Sequence, residues 1–143
     1  MTEVRFYVPN FESGQLLSTS STIETYSVRE DYLYYYTFTE LFTHFLDGIE
    51  VFPNGTSYLT ITIDGTLAHI TVSDHLLSFD GDIGQSELLL RSIVYTATEF
   101  ADINQVCLHI VDSKGNRILQ FNGISLDKPF SRTSDYASVY VTQ

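Results

Sequence analysis

The stretch Tyr58 to Val72, YLTITIDGTLAHITV, constrains the fold more than any other part of the chain. Apolar and polar residues alternate on both sides of Asp64-Gly65, a pair favoured in two-residue hairpin turns because glycine takes positive φ without steric cost. If Ile63 faces Thr66, then Ile61 faces Ala68 and Leu59 faces Ile70. One face is then apolar, and the other carries Tyr58, Thr60, Thr62, His69 and Thr71. Such a hairpin is stable only with its apolar face covered by another layer.

Two segments have the period to cover it. Ser27 and Glu30 stand in the spacing of a capping box, and Tyr34, Phe38, Leu41, Phe42 and Phe45 follow at three- and four-residue steps, with Gly48 placed for a left-handed C-terminal cap. The run Tyr34-Tyr35-Tyr36 pulls the other way, toward strand. The second helix is expected over Ser86 to Ala101, with Leu89, Leu90, Ile93, Ala97 and Phe100 as its stripe.

The remaining segments read as strands. VRFYV at Val4 to Val8, then Pro9-Asn10 and Ser13-Gly14, predicts a first hairpin whose second strand lies in the Ser- and Thr-rich stretch Leu17 to Thr25. Val106 to Val111 looks buried on both faces, and Ser113 to Asn116 turns it into Arg117 to Phe121. From Gly123 the chain becomes irregular and ends in a surface strap or tail. The expectation is an α+β domain, a mixed β-sheet with two helices packed on one face in the order β-β-α-β-β-α-β-β. One domain is expected over residues 1–143, with its core at about 4–132 and a tail at 133–143.

Composition enters as a set of exclusions. Seven Lys and Arg against 18 Asp and Glu give a formal charge of −11, and no basic cluster occurs, so the footprint of a nucleic-acid binder is missing and an anionic membrane surface is disfavoured. Ten Phe and ten Tyr, within 43% hydrophobic residues, supply a core and exclude disorder as the main reading. No apolar run has the ~18 residues of a membrane span, and Met1 to Arg5 lacks the shape of a signal peptide. That leaves a cytoplasmic protein or the soluble portion of a longer one.

The chain offers little chemistry. His44, His69, His75 and His109 show no spacing that preorganises a metal site; they read as a helix-face residue, a solvent-side strand residue, a loop residue and a core or helix-covered residue. Ser73-Asp74-His75 holds the residue types of a hydrolase triad, but successive side chains point apart and no nucleophile elbow accompanies them. Cys107, the single cysteine, alternates within an apolar strand and reads as a buried inert thiol. Asp80 and Asp82 suit helix capping better than calcium. Asn54-Gly55-Thr56 fits the glycosylation pattern but reads as a turn. No catalytic, cofactor-binding or metal residue is assigned, and no cofactor is expected. The one excess is aromatic: Tyr32, Tyr34, Tyr35 and Tyr36 cannot all face inward from one helix, so some should lie on the surface, where tyrosine is enriched at interfaces.

In order and spacing, five segments resemble the GerMN domain, the sporulation and germination module of Gram-positive bacteria. They are FYVPN (Phe6 to Asn10), LFTHFLDG (Leu41 to Gly48), FPNGTSYLTITIDGTLAHITVSDHL (Phe52 to Leu76), SELLLRSIVYTATEFADINQVCLHIVD (Ser86 to Asp112) and GISLDKPFSR (Gly123 to Arg132). The chain departs from the family pattern at Ile49, where proline is usual, and at Ser20 or Ser21, where arginine is common. The resemblance implies an extracytoplasmic domain with no known enzymatic activity, usually behind a lipoprotein anchor or membrane segment. It also implies an αββαβ core like the ring-building modules of secretion and sporulation channels. The chain would then be the soluble portion, with Met1-Thr2 standing where an anchor is attached.

The first functional expectation is therefore a protein-interaction module that self-associates or docks on an envelope complex through a helix face and a sheet edge. The second is a cell-wall ligand module that uses the tyrosines as a platform for glycan or peptide. The third, a hydrolase, requires a cleft that gathers His75, Asp74 and a serine.

Overall fold

The computed structural model describes residues 2–24 and 30–134. The chain opens with a long ribbon, β1 (Thr2–Asn10) and β2 (Gln15–Ile23), antiparallel from Thr2↔Ile23 to Asn10↔Gln15. The alternation of β1 makes the ribbon one-sided: Val4, Phe6 and Val8 are buried, whereas β2 buries Ile23 alone. The ribbon pairs with no other strand among the described residues. Instead β1 packs on α1 (Glu30–Phe42) and on α2 (Ile83–Thr98).

Tyr34, Phe38, Leu41 and Phe42 bury the α1 stripe as its spacing predicts, while Ser27 of the expected capping box lies outside the described residues. The end of the helix differs from the reading. α1 stops at Phe42, and β3 (Phe45–Leu46) pairs with β4 (Ile49–Glu50) across Asp47-Gly48. Both turn residues have positive φ, 54° and 78°, the requirement of a type I′ turn. Gly48 thus serves a hairpin, not a helix cap, and Phe45 leaves the stripe and is 56% exposed.

The second hairpin, β5 (Tyr58–Asp64) and β6 (Leu67–Ser73), forms with its turn displaced. Asp64 pairs with Leu67, so the loop is Gly65-Thr66, with positive φ at Gly65 as in a type II′ turn. Ile63 therefore faces Ala68 and Ile61 faces Ile70. The partner moves by two residues, which keeps the faces because side chains alternate with period two. Between Tyr58 and Thr60 a bulge inserts Leu59. Tyr58 thereby joins the core side, stacked on Phe38 at 5.7 Å and 5°, and Leu59 is thrown outward, 55% exposed.

A single 3-10 turn, Asp74–Ser78, leads toward α2, which begins three residues before the predicted start. The side chain of Asp82 accepts from the Gln85 amide at 2.8 Å, and the Gln85 side chain accepts from the Asp82 amide at 2.9 Å. This reciprocal cap bears out the capping role read for Asp82. The helix carries the chain across the sheet so that β7 (Gln105–Val111) runs parallel to β6, with Ile70 beside Leu108. β8 (Arg117–Ile118) completes the sheet order β5-β6-β7-β8.

Ala68, Ile70 and Val72 of β6 and Val106, Leu108 and Ile110 of β7 share one core cluster with Phe38, Leu41, Leu89, Leu90 and Ile93. Both helices thus lie on this face, as the α+β reading expects.

The closing segment is more than a surface strap. β9 (Gln120–Phe121) pairs with β10 (Ile124–Ser125), so Arg117 to Phe121 divides between two sheets. Phe121, Ile124, Leu126 and Phe130 are each at most 1% exposed. The Phe130 and Val106 backbones exchange two hydrogen bonds of 2.8 Å. Arg132 then fastens the strap to the end of α2: its guanidinium donates to the Thr98 hydroxyl (2.7 Å), the Tyr95 carbonyl (2.9 Å) and Glu99 (3.1 Å), and lies 4.7 Å from the Tyr95 ring centre.

Candidate functional site

α1 divides its tyrosines as the sequence requires. Tyr34 is buried against Phe100, with ring centres 4.7 Å apart. Tyr32 and Tyr35 turn outward, 45% and 49% exposed. Tyr35 meets Tyr36 at 5.4 Å and Tyr58 at 6.4 Å, both edge to face, so one aromatic cluster runs from the outer side of α1 onto β5.

β5 forms one margin of the four-stranded sheet, and among the described residues no strand neighbours its outward amides and carbonyls. Leu59 and Ile63, 55% and 40% exposed, lie along this edge. An exposed edge strand is a template for pairing with another chain, and aromatic side chains supply contact area at low entropy cost. What this surface offers chemically is a row of main-chain hydrogen-bonding groups beside exposed aromatic and aliphatic side chains.

The sheet face opposite the helices carries a pair of residues that sequence spacing kept apart. His69 on β6 and His109 on β7 are joined Nδ1 to Nε2 at 3.0 Å. His109 is therefore neither a core nor a helix-covered residue but half-buried on the outer face. Burial, the nearby Arg117 and His69 each hold its pKa below the ordinary 6.5. Cys107 lies on the same face, beside His69 in register. Burial raises its thiol pKa, with Arg117 pulling the other way, and the side chain is buried as the sequence suggests.

Ser73, Asp74 and His75 do not assemble a relay. Nδ1 of His75 is the nitrogen near both partners, 3.2 Å from the Ser73 hydroxyl and 3.8 Å from Asp74. A triad needs one ring nitrogen for each. The Ser73 hydroxyl instead ties the Gly55 turn to β6: it donates to the Gly55 carbonyl at 3.1 Å and accepts from the Ser57 amide at 3.0 Å.

Elsewhere the shifted groups fasten structure. At Glu99, burial raises the carboxyl pKa, but hydrogen bonds from Tyr7 and Arg132, with the charges of Arg132 and Arg5, outweigh it and leave the group below 4.5. Asp112 is lowered first by the Asn116 amide in the β7–β8 turn. A surface groove between the first ribbon turn and α2 is lined by Phe11, Gly14, Asp82, Gln85 and Arg91. Its Arg91 is engaged by Glu87 at 2.7 Å.

The sequence model of the family named Germane, described as sporulation and spore germination, matches residues 6–114. No curated protein matches the chain. Among solved structures, the first GerMN domain of the sporulation protein GerM from Bacillus subtilis superposes with a TM-score of 0.67 at 16% identity, covering 94% of this chain and 100% of that one. The tandem GerMN domains of the same protein superpose with a TM-score of 0.65 at 14% identity, covering 92% of this chain, which spans 46% of the tandem structure. A crystal structure from Clostridium perfringens, provisionally described as a lipoprotein, superposes at 0.61 and 16% identity, covering 98% of this chain and 93% of that one. At these identities the structural likeness establishes the fold.

Proposed function

The chain belongs to the Germane family, and on that premise we propose that it is a non-enzymatic, extracytoplasmic protein-interaction module of a bacterial envelope complex. The observation that carries this reading is the continuity of the exposed tyrosines of α1 with the open edge of β5. An extended segment of a partner adds to β5 by main-chain hydrogen bonds, and its side chains pack on Tyr35, Tyr36 and Leu59. The formal charge of −11 favours a partner with basic residues around that segment.

The likeness to a sporulation protein and to a protein described as a lipoprotein supports placement outside the cytoplasm, held by an anchor beyond these residues. No helix among the described residues is long and apolar enough to cross a membrane. The cell-wall ligand reading has less support, because Tyr35 crosses Tyr36 and Tyr58 at 72° and 71° and the cluster offers no flat two-ring platform.

The test places a photo-crosslinking amino acid at Tyr35 in the producing cell, with Lys114 in the β7–β8 turn as the control position. One defined polypeptide, this chain or another, is expected to crosslink at position 35 and not at 114. Equal crosslinking at both positions, or none at either, refutes the proposal. Light scattering over a wide concentration range then separates self-association from binding to a different protein.

A further inference from the structure

We infer that His69 and His109 form a two-histidine binding site for a divalent transition-metal ion on the outer face of the sheet, fitting Cu2+ or Ni2+ better than Zn2+. The parallel register of β6 and β7 places the two residues on one face, His69 beside Cys107 and His109 beside Thr71. This brings Nδ1 of one ring within 3.0 Å of Nε2 of the other. The contact is half-buried, so rotamer freedom is reduced while one side stays open to solvent.

The separation selects the metal. At a metal–nitrogen distance of about 2.1 Å, two nitrogens 3.0 Å apart subtend roughly 90° at the ion. That is the cis angle of a square-planar or octahedral centre, as Cu2+ and Ni2+ adopt with imidazole, and it falls well short of the tetrahedral angle preferred by Zn2+.

Arg117 works against the ion with its full charge, from a position fixed by the Leu108 carbonyl at 3.2 Å and the Leu126 carbonyl at 2.8 Å. The acidic groups of the chain, Asp127 near Cys107 among them, favour a cation. Among the described residues no cluster of three or more metal-ligating side chains exists. The remaining coordination positions therefore face water or an added ligand.

The test titrates the metal-free protein with CuCl2 and with NiCl2 by calorimetry, and takes the Cu2+ electron paramagnetic resonance spectrum of the complex. Binding of one ion per chain with two imidazole nitrogens in the copper spectrum is expected. Loss of either ligand, in His69→Gln or His109→Gln, should weaken binding by more than the roughly tenfold that loss of an outer-shell partner costs. His44→Gln and His75→Gln should bind as the parent does. Parental affinity in His69→Gln or His109→Gln, or a single imidazole nitrogen in the copper spectrum, overturns the inference. A measurement that needs no variant guards against misfolding. Substoichiometric Cu2+ should broaden the imidazole resonances of His69 and His109 first, and broadening that begins at His44 or His75 overturns the site.

Discussion

Replacing Phe130 by alanine tests whether the closing strap belongs to the core. The ring is 1% exposed and lies beyond residue 114, where the family match ends. Truncating a buried phenylalanine costs about 3–5 kcal/mol through lost transfer free energy and the cavity left behind. For 143 residues at about 2.1 cal/mol/K per residue the unfolding entropy is roughly 0.3 kcal/mol/K, so a 4 kcal/mol loss lowers Tm by about 13 °C. Thermal unfolding followed by circular dichroism or calorimetry reads this directly. Phe45→Ala is the control: that ring is 56% exposed, and its loss should cost less than about 0.5 kcal/mol. A fall in Tm below about 4 °C for Phe130→Ala, or an equal fall for both variants, would refute the reasoning and leave the strap as a surface feature.

Two further outcomes follow from the same structure. His109 titrates below 6.5 when folded, so the unfolded chain binds more protons between the two pKa values; stability is full above about pH 6.5 and falls as the pH drops through that value. Tm should decline from about pH 7 to pH 5 and decline less in His109→Gln, whereas Glu99 acts in a separate window below 4.5. An identical pH slope in the variant removes His109 as the cause. Gly55 has φ +92°, and an added Cβ would meet the His75 ring at 2.6 Å. Gly55→Ala should therefore destabilise by more than about 1 kcal/mol, seen as a lower urea midpoint, and an unchanged midpoint contradicts the strained turn.

Much of the fold was legible because it rests on local periodicity. The apolar steps through Phe38 and Leu41, and through Leu89 and Ile93, mark two helices whichever way they pack. The alternation from Ile61 to Val72 marks a hairpin with one buried face. The proposed interaction surface was partly legible for the same reason: four tyrosines at 32, 34, 35 and 36 exceed what one face of a helix can bury. Asp47-Gly48 carried the same Asp-Gly signal as Asp64-Gly65, but the helical stripe leading to it suggested a cap instead.

Sequence patterning by itself determined which residues are apolar on which face, where two helices run and that the chain is α+β. Tertiary structure alone decided what those faces meet. The turn at Gly65-Thr66 and the register two residues from that expected preserve the same alternation, so only packing chose between them; the bulge at Leu59, which brings Tyr58 onto Phe38, has no local signature. The strap reads as irregular because its buried residues, Phe121, Ile124, Leu126 and Phe130, follow no single period, yet all four join the core cluster. His69 and His109, forty residues apart, become neighbours through a parallel pairing, and α2 sets that pairing by carrying the chain back across the sheet. Such contacts depend on where distant elements come to rest, and no periodicity within either strand encodes them.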